Sequence, residues 1–345
     1  MTRVYVGMSG GVDSSLAASL LVEQGFEVTG VYMKNWSQDL PGMKCPWAED
    51  LADAKRVAVQ LGIDFKVFDF EREYKQNVVD YMVDEYKAGR TPNPDIMCNQ
   101  EVKFKLFLEA SLADGADVIA TGHYAQTRDG KLLKAVDDNK DQTYFLYRVT
   151  KSALQKTLFP LGGYTKEQVR EMARERNLWT AAKKESMGVC FVGSVSMRDF
   201  LGQYVTTQPG NIIDKQTNKV VGRHDGAIYY TLGQRHGLDV GGGLPYYVVG
   251  KDIEKNEVYV STSLNDEAMW KDVTVLHSMH FIANEERLGR FMVRMRHRGA
   301  LVDAELQKNG DDYLLQLAHA ERAVTPGQSV VLYSDNECIG GGIVR

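Results

Sequence analysis

Ser9-Gly10-Gly11-Val12-Asp13-Ser14-Ser15 follows a short apolar run, Val4–Met8, and leads into Leu16, Ala17, Leu20 and Leu21 at helical spacing. The order is strand, glycine turn, helix. Paired glycines let the backbone turn sharply and approach a ligand closely. The helix that follows presents unpaired N–H groups and the positive end of its dipole, which together make an anion site. Ser14 and Ser15 add hydroxyl donors, and Asp13 is placed either to cap the helix or to hold Mg²⁺ on bound phosphates. No lysine follows the glycines, so this is not the Walker loop G-x-x-x-x-G-K-[ST]. A loop without that lysine suits a departing pyrophosphate better than γ-phosphate transfer.

Outward from this loop the alternation continues. Phe26–Met33 reads as a second strand, and Phe65–Phe70 and Val118–Thr121 as further short strands. Glu49–Leu61 reads as an amphipathic helix with Leu51, Ala54, Val57, Ala58 and Leu61 on one face. Strand and helix in this order predict a parallel sheet covered by helices. The stretch Lys151–Asn177 is helical and charged. Beyond about residue 205 glycines, aromatic and β-branched residues multiply. Asn211–Val221, Ala227–Thr231, Tyr246–Val249, Glu257–Val260, Phe291–Arg298, Tyr313–Leu317 and Ser329–Tyr333 read as strands, with Lys255-Asn256 as a turn. The predicted architecture is α/β: an N-terminal doubly wound parallel sheet over 1–200, a small β-rich central domain over 201–268 and a C-terminal β-barrel over 269–345.

The 345 residues are 43% hydrophobic and 25% charged, ordinary for a globular chain with a sizeable core. No run of eighteen apolar residues and no signal-peptide pattern occurs, so a cytoplasmic protein without membrane contact is expected. The net charge of −5 argues against an overall basic surface. A nucleic-acid partner would need a local stripe, and the best is Phe291–Arg298. Read as a strand, it puts Arg294, Arg296 and Arg298 on one face and Val293 and Met295 on the other, suited to phosphate contacts. The same stripe also fits a plain solvated face.

Four cysteines, Cys45, Cys98, Cys190 and Cys338, are spread without any C-x-x-C pair, which argues against a zinc ribbon or a disulfide scaffold. Cys98 ends the run Pro92-Asn93-Pro94-Asp95-Ile96-Met97-Cys98, where two prolines predict a rigid, extended loop delivering Asp95 and Cys98 together. Cys190 lies between Gly188 and Gly193. Neither has an obvious basic neighbour in sequence, so any activation of the thiol must come from tertiary contacts. Cys338, in an apolar context, reads as a small buried hydrophobe. Cys45 leans the same way, with its role open.

The S-G-G-x-D-S-S string resembles the PP-loop ATP pyrophosphatase superfamily. P-N-P-D-x-x-C-N at Pro92–Asn99 and G-V-C-F-V-G at Gly188–Gly193 narrow the likeness. With them go Ala120–Ala125, Lys140–Leu146, Thr231–Arg235 and Thr325–Ser329. Together they closely resemble the tRNA-uridine 2-sulfurtransferases, also called tRNA-specific 2-thiouridylases, in order and over almost the whole chain.

The resemblance implies 2-thiolation of the wobble uridine in tRNAs of the Lys, Glu and Gln types. ATP adenylates the uracil oxygen at carbon 2, and a persulfide sulfur displaces AMP. By the same resemblance Gly7, Met8, Ser9, Gly10, Gly11, Val12, Asp13, Ser14, Met33 and Gly122 bind ATP. Cys190 carries the persulfide, Cys98 is its partner nucleophile, and the two can form a disulfide as sulfur is released. Asp95 is the general acid/base. Asn93, Pro94, Asp95, His123, Lys140, Asp141, Gln142, Arg296, His297 and Gln328 meet the tRNA, with Asn93 and Asp95 reading the flipped uracil.

Mg²⁺ is expected to arrive with ATP. A sulfur-relay protein or cysteine desulfurase is the expected donor, and the enzyme is expected to be a monomer. Three alternatives stay open. Asp95, Cys98 and Cys190 could hold an iron–sulfur cluster. The chain could be an adenylating ligase acting on a small metabolite, or an RNA-binding protein that retains a nucleotide site.

Overall fold

The computed structural model describes residues 1–39, 45–184, 196–241 and 243–345. Cys190 and the glycines around it lie outside the described residues. Val4, Tyr5 and Val6 are all buried, as befits a strand covered on both faces. This strand, β1 (Arg3–Gly7), pairs in parallel with β2 (Glu27–Lys34) on one side and β4 (Val118–Thr121) on the other, so that Val4 faces both Val28 and Val118. With β3 (Asp64–Asp69) and β7 (Thr157–Leu158) the order is β3-β2-β1-β4-β7. The chain leaves β1 toward β2 on one side and returns to β4 on the other. A crevice therefore opens at the carboxyl ends of β1 and β4.

Helix α1 (Val12–Glu23) runs from the glycine loop, and α2 (Trp47–Leu61) buries Ala54 and Val57 against the sheet. Two π-helical segments, Lys75–Asp80 and Cys98–Leu106, interrupt the helices between β3 and β4. Helix α3 (Lys166–Glu175) closes a full capping box through Thr165 and Gln168 and packs on α1 through Val169 and Ala173.

The central sheet has the order β10-β11-β8-β9, from β8 (Gly210–Asp214), β9 (Lys219–His224), β10 (Tyr247–Asp252) and β11 (Glu257–Ser261). The last sheet closes as a six-stranded antiparallel barrel: β12 (Trp270–Phe281), β15 (Asp312–Arg322), β14 (Val302–Asn309), β13 (Gly289–Arg294), β16 (Ser329–Ser334) and β17 (Glu337–Val344), with β12 pairing β17. A hairpin from the first half of the chain, β5 (Gln126–Arg128) and β6 (Lys131–Leu133), extends the sheet by pairing β6 with β17.

Several strand readings change. Asn211–Val221 is two strands, because Asp214 Oδ1 accepts the N–H groups of Gln216 and Thr217 and Asn218 turns the chain at φ +54°. Ala227–Thr231 opens as a single 3₁₀ turn over Ala227–Tyr229, whose first N–H is taken by Asn256 Oδ1. The basic strand stops at Arg294, and Arg298 sits in a turn at φ +60°. Among the described residues no helix is long and apolar enough to cross a membrane.

Candidate active site

The loop after β1 has the geometry of an anion nest. Gly10 takes φ +75°, and a Cβ there would lie 2.3 Å from the backbone oxygen of Asp50, so no other residue fits. Gly11 is the N-cap of α1 and offers no side chain, leaving the first-turn N–H groups open toward the crevice. Ser14 Oγ accepts the Ser9 N–H (3.1 Å) and donates to Gly11 O (3.2 Å), which sets the curve of the loop. Ser15 is fully buried and donates its hydroxyl to Gly11 O, so it shapes the helix start and does not face a ligand. Opposite the loop, a Cβ on Gly122 would fall 2.8 Å from Ser14 N, so a glycine is required where the end of β4 crosses the helix.

A cavity of about 340 Å³ occupies this crevice. Gly7, Ser9, Gly11, Val12, Asp13 and Ser14 line it from the loop, with Met33 from the end of β2 and Gly122 from the end of β4. Of the residues expected at RNA, His123, Lys140, Gln142 and His297 line the same cavity. Met8 lies in a smaller neighbouring cavity of about 160 Å³. Asn93, Pro94, Asp95, Cys98, Asp141, Arg296 and Gln328 do not line the main cavity.

The cysteine segment differs from the expected extended loop. Asn93 is an N-cap whose side-chain oxygen accepts the Asp95 N–H (3.2 Å), and Pro94 takes the first position of the helix Pro94–Met97. The prolines stiffen a helix start, since proline at N1 loses no hydrogen bond. Cys98 then opens the π-helical segment and is buried, at 1% exposure, in the core cluster with Ile96, Val102 and Phe107. Asp95 is half-buried, and burial raises its carboxyl above the usual carboxylate range, with Lys103 pulling the other way. Cys45 is partly buried, with burial pushing its thiol up, while Cys338 is fully enclosed and pushed up further.

His123 packs against Phe104 and Phe159, with Nδ1 2.8 Å from Thr121 Oγ1. Burial, helped by Lys103, lowers its pKa well below the usual imidazole value, so it stays neutral. The His297 ring centre lies 4.5 Å from that of Phe145, and its Nδ1 is buried without a hydrogen-bond partner among the described residues. Burial, with Arg298 and Arg294 nearby, lowers this imidazole too.

Two expected RNA contacts are corrected. Asp141 is 1% exposed: its carboxylate takes the Arg294 guanidinium (2.9 Å), the Thr143 hydroxyl (2.8 Å) and the Ala135 N–H (3.2 Å). Arg294 is thereby drawn inward, to 7% exposure, and leaves the supposed arginine row. Both are committed to joining the 134–146 loop to the barrel. Arg296 stays exposed, as does Arg298, which reaches the cavity.

Sequence reasoning missed Lys103, Thr121, Tyr124 and Arg298 as cavity residues. Lys103 carried one signal, a position five residues after Cys98. It also missed Lys166, whose Nζ binds both Asp13 oxygens at 2.7 and 2.8 Å while Tyr124 OH donates to Oδ1 at 2.8 Å. Asp13 is the single carboxylate lining the cavity among the described residues, and no group of three or more His, Cys, Asp or Glu stands ready for a metal there. Such a site fits Mg²⁺ carried in by phosphates better than a metal held in a cage of protein ligands. The trio Asp95, Cys98 and Cys190 includes a residue outside the described ones.

Residues 2–194 match the family described as tRNA methyl transferase HUP domain, 198–262 the tRNA methyl transferase PRC-barrel domain and 271–344 the aminomethyltransferase beta-barrel domain. The chain is 48% identical over 354 residues to the tRNA-specific 2-thiouridylase MnmA of Bacillus licheniformis, covering 99% of this chain and 95% of that protein. The corresponding protein of Bacillus cereus is 46% identical over 351 residues, covering 99% and 94%. A solved 4-thiouridine synthetase–RNA complex with bound ATP is 17% identical with a TM-score of 0.40, covering 59% of this chain and 50% of that one.

Proposed function

The chain belongs to the tRNA-specific 2-thiouridylase family, and from that premise we propose how its residues divide the ATP-dependent 2-thiolation of tRNA uridine. The observation that carries the proposal is the shared cavity. The phosphate loop (Ser9–Ser14), the strand end at Gly122 and His123, and His297 of the barrel all line one hollow. An anion site with no fixed lysine after its glycines thus opens onto residues of the β-barrel side, where an RNA can approach.

The loop N–H groups hold the phosphates of ATP, and Met33 and Gly122 bound the nucleotide. Mg²⁺ on the phosphates would neutralise charge on the departing pyrophosphate. Uracil oxygen 2 attacks the α-phosphorus, which turns a poor leaving group into AMP. The terminal sulfur of a Cys190 persulfide then attacks carbon 2 as AMP departs. Cys98 thiolate attacks the Cys190 sulfur, so the S–S bond to the base breaks and a disulfide forms. Reduction and a fresh sulfur from a relay protein or cysteine desulfurase complete the turnover. Asp95 exchanges a proton with the base, and Asn93, His123, Lys140, Gln142, Arg296, His297 and Gln328 form the tRNA face, while buried Pro94 fixes the helix start beneath Asn93 and Asp95. The working units are 1–200, 201–268 and 269–345, in a monomer.

The test is a single-turnover reaction with unmodified tRNA, Mg-ATP and a sulfur source. Wild type, Cys98→Ser and Cys190→Ser should all form AMP, with 2-thiouridine in wild type alone. Thiolation by Cys190→Ser would remove the persulfide assignment. No tRNA-dependent AMP from wild type would point to a ligase acting on a small molecule.

A further inference from the structure

We propose that Lys103 is a catalytic residue of the nucleotidyl-transfer step, its ammonium meeting the α-phosphate at the seam between the two cavities. The inference rests on the adenylation reading above. Among the described residues only Ser9, Met33 and Lys103 line both the main cavity and its neighbour, and Lys103 is the cation among them. The main cavity carries the anion nest. The neighbour is walled by the buried rings of Tyr32, Trp36 and Tyr74, and its Asn35 Oδ1 is buried without a hydrogen-bond partner among the described residues. That combination suits a flat heterocycle with an N–H edge. With phosphates on the nest and a heterocycle between the rings, the α-phosphate falls at the seam, whichever of the two bases the second chamber takes.

The fold puts the cation there through an unusual element. Lys103 belongs to the π-helical segment that begins at Cys98, and five residues make one hydrogen-bonded turn of such a helix, so the ammonium and the thiol ride on one rigid turn. Lys103 also acts electrostatically on both Asp95 and His123, which places its charge among the groups expected to meet the base. The loop itself lacks the lysine that a Walker loop supplies. Lys103 delivers that charge from another element.

The step balances simply. Uracil oxygen 2 forms a bond to the α-phosphorus as the bond to the bridging oxygen breaks. Pyrophosphate leaves with that electron pair, and the N3 proton of the base passes to Asp95. Negative charge grows on the α-phosphate oxygens in the transition state, and a fixed ammonium stabilises it more than it stabilises the ground state.

The experiment is tRNA-dependent exchange of labelled pyrophosphate into ATP, run without a sulfur donor on the full chain. Lys103→Met should slow exchange about 10²- to 10³-fold through kcat. KM for ATP and Kd for tRNA should stay within about threefold. Lys103→Arg should recover at least about tenfold of that loss. Exchange by Lys103→Met within about threefold of wild type, or a loss confined to KM, would overturn the assignment. Should Lys103→Met fail to fold, Lys103→His decides. Its exchange relative to wild type should rise about tenfold from pH 8 to pH 6 as the imidazole gains charge, and a flat ratio would overturn the assignment. No tRNA-dependent exchange in wild type would take down the adenylation reading and this proposal with it, whereas the variant outcomes overturn Lys103 alone.

Discussion

Asp95 shows what a single carboxyl can be asked to do. Burial lifts its pKa above the usual carboxylate range, and Lys103 only partly offsets this. The sign follows from linkage. The folded state holds the proton to higher pH than the unfolded state, so the contribution of Asp95 to stability is full below the unfolded value and falls as pH rises through the folded one. Asp95→Asn removes that burden. The variant should melt higher than wild type at pH 7, with the gap closing as pH approaches 4, while 2-thiouridine formation is lost. Thermal melts across that range check it, and an unchanged or lower melting temperature at pH 7 would count against a strained, functional carboxyl. The trade is the one expected where a group is kept for chemistry at the expense of stability.

At the scale of an element, the start of a helix decides two features of the site. Pro94 at N1 and Asn93 at the N-cap begin the helix that carries Cys98, and the turn then widens to a π-helix. Periodicity cannot announce that change, because a run of polar and apolar residues such as Cys98–Leu106 reads the same at 3.6 or 4.4 residues per turn. Helix α3 begins with Lys166, one residue after its Thr165 cap, and that lysine grips both oxygens of Asp13. Lys166 is a positioning residue for the loop. Lys166→Met should raise KM for Mg-ATP about tenfold while the protein still melts cooperatively, since methionine keeps the apolar stem and Asp13, at the cavity wall, can be solvated. Equal KM values in steady-state AMP assays would show that Asp13 holds its place alone.

Across the whole molecule the barrel and the nucleotide domain are one structure. The hairpin β5–β6 pairs with β17, and the buried pair of Asp141 and Arg294 joins the loop behind His123 to the strand before His297. Tyr333 of the barrel adds its hydroxyl to Thr143, 3.1 Å away. Cutting one partner leaves a charge buried and unmatched. Arg294→Met should destabilise by about 3–5 kcal/mol in urea unfolding and weaken tRNA binding by moving His297. A loss under about 1 kcal/mol would mean that water reaches Asp141 once the arginine is gone.

The sequence alone determined the sheet with its glycine loop, the family and the identity of most groups lining the main cavity. Those features rest on local rules: strand, glycine turn and helix are neighbours in the chain, and Gly10 and Gly122 are needed for conformation or close contact. Tertiary structure decided which charges face solvent. Arg294 and Arg296 look alike in sequence, yet one is buried by an aspartate 153 residues earlier and the other is exposed. It also decided that Cys98 sits on a helix, that Lys103 stands at the junction of two cavities, and that Asp13 is held by Lys166. Each of these depends on what a distant segment brings into contact, and burial and pairing of charge are properties of that contact, absent from the residues taken one by one.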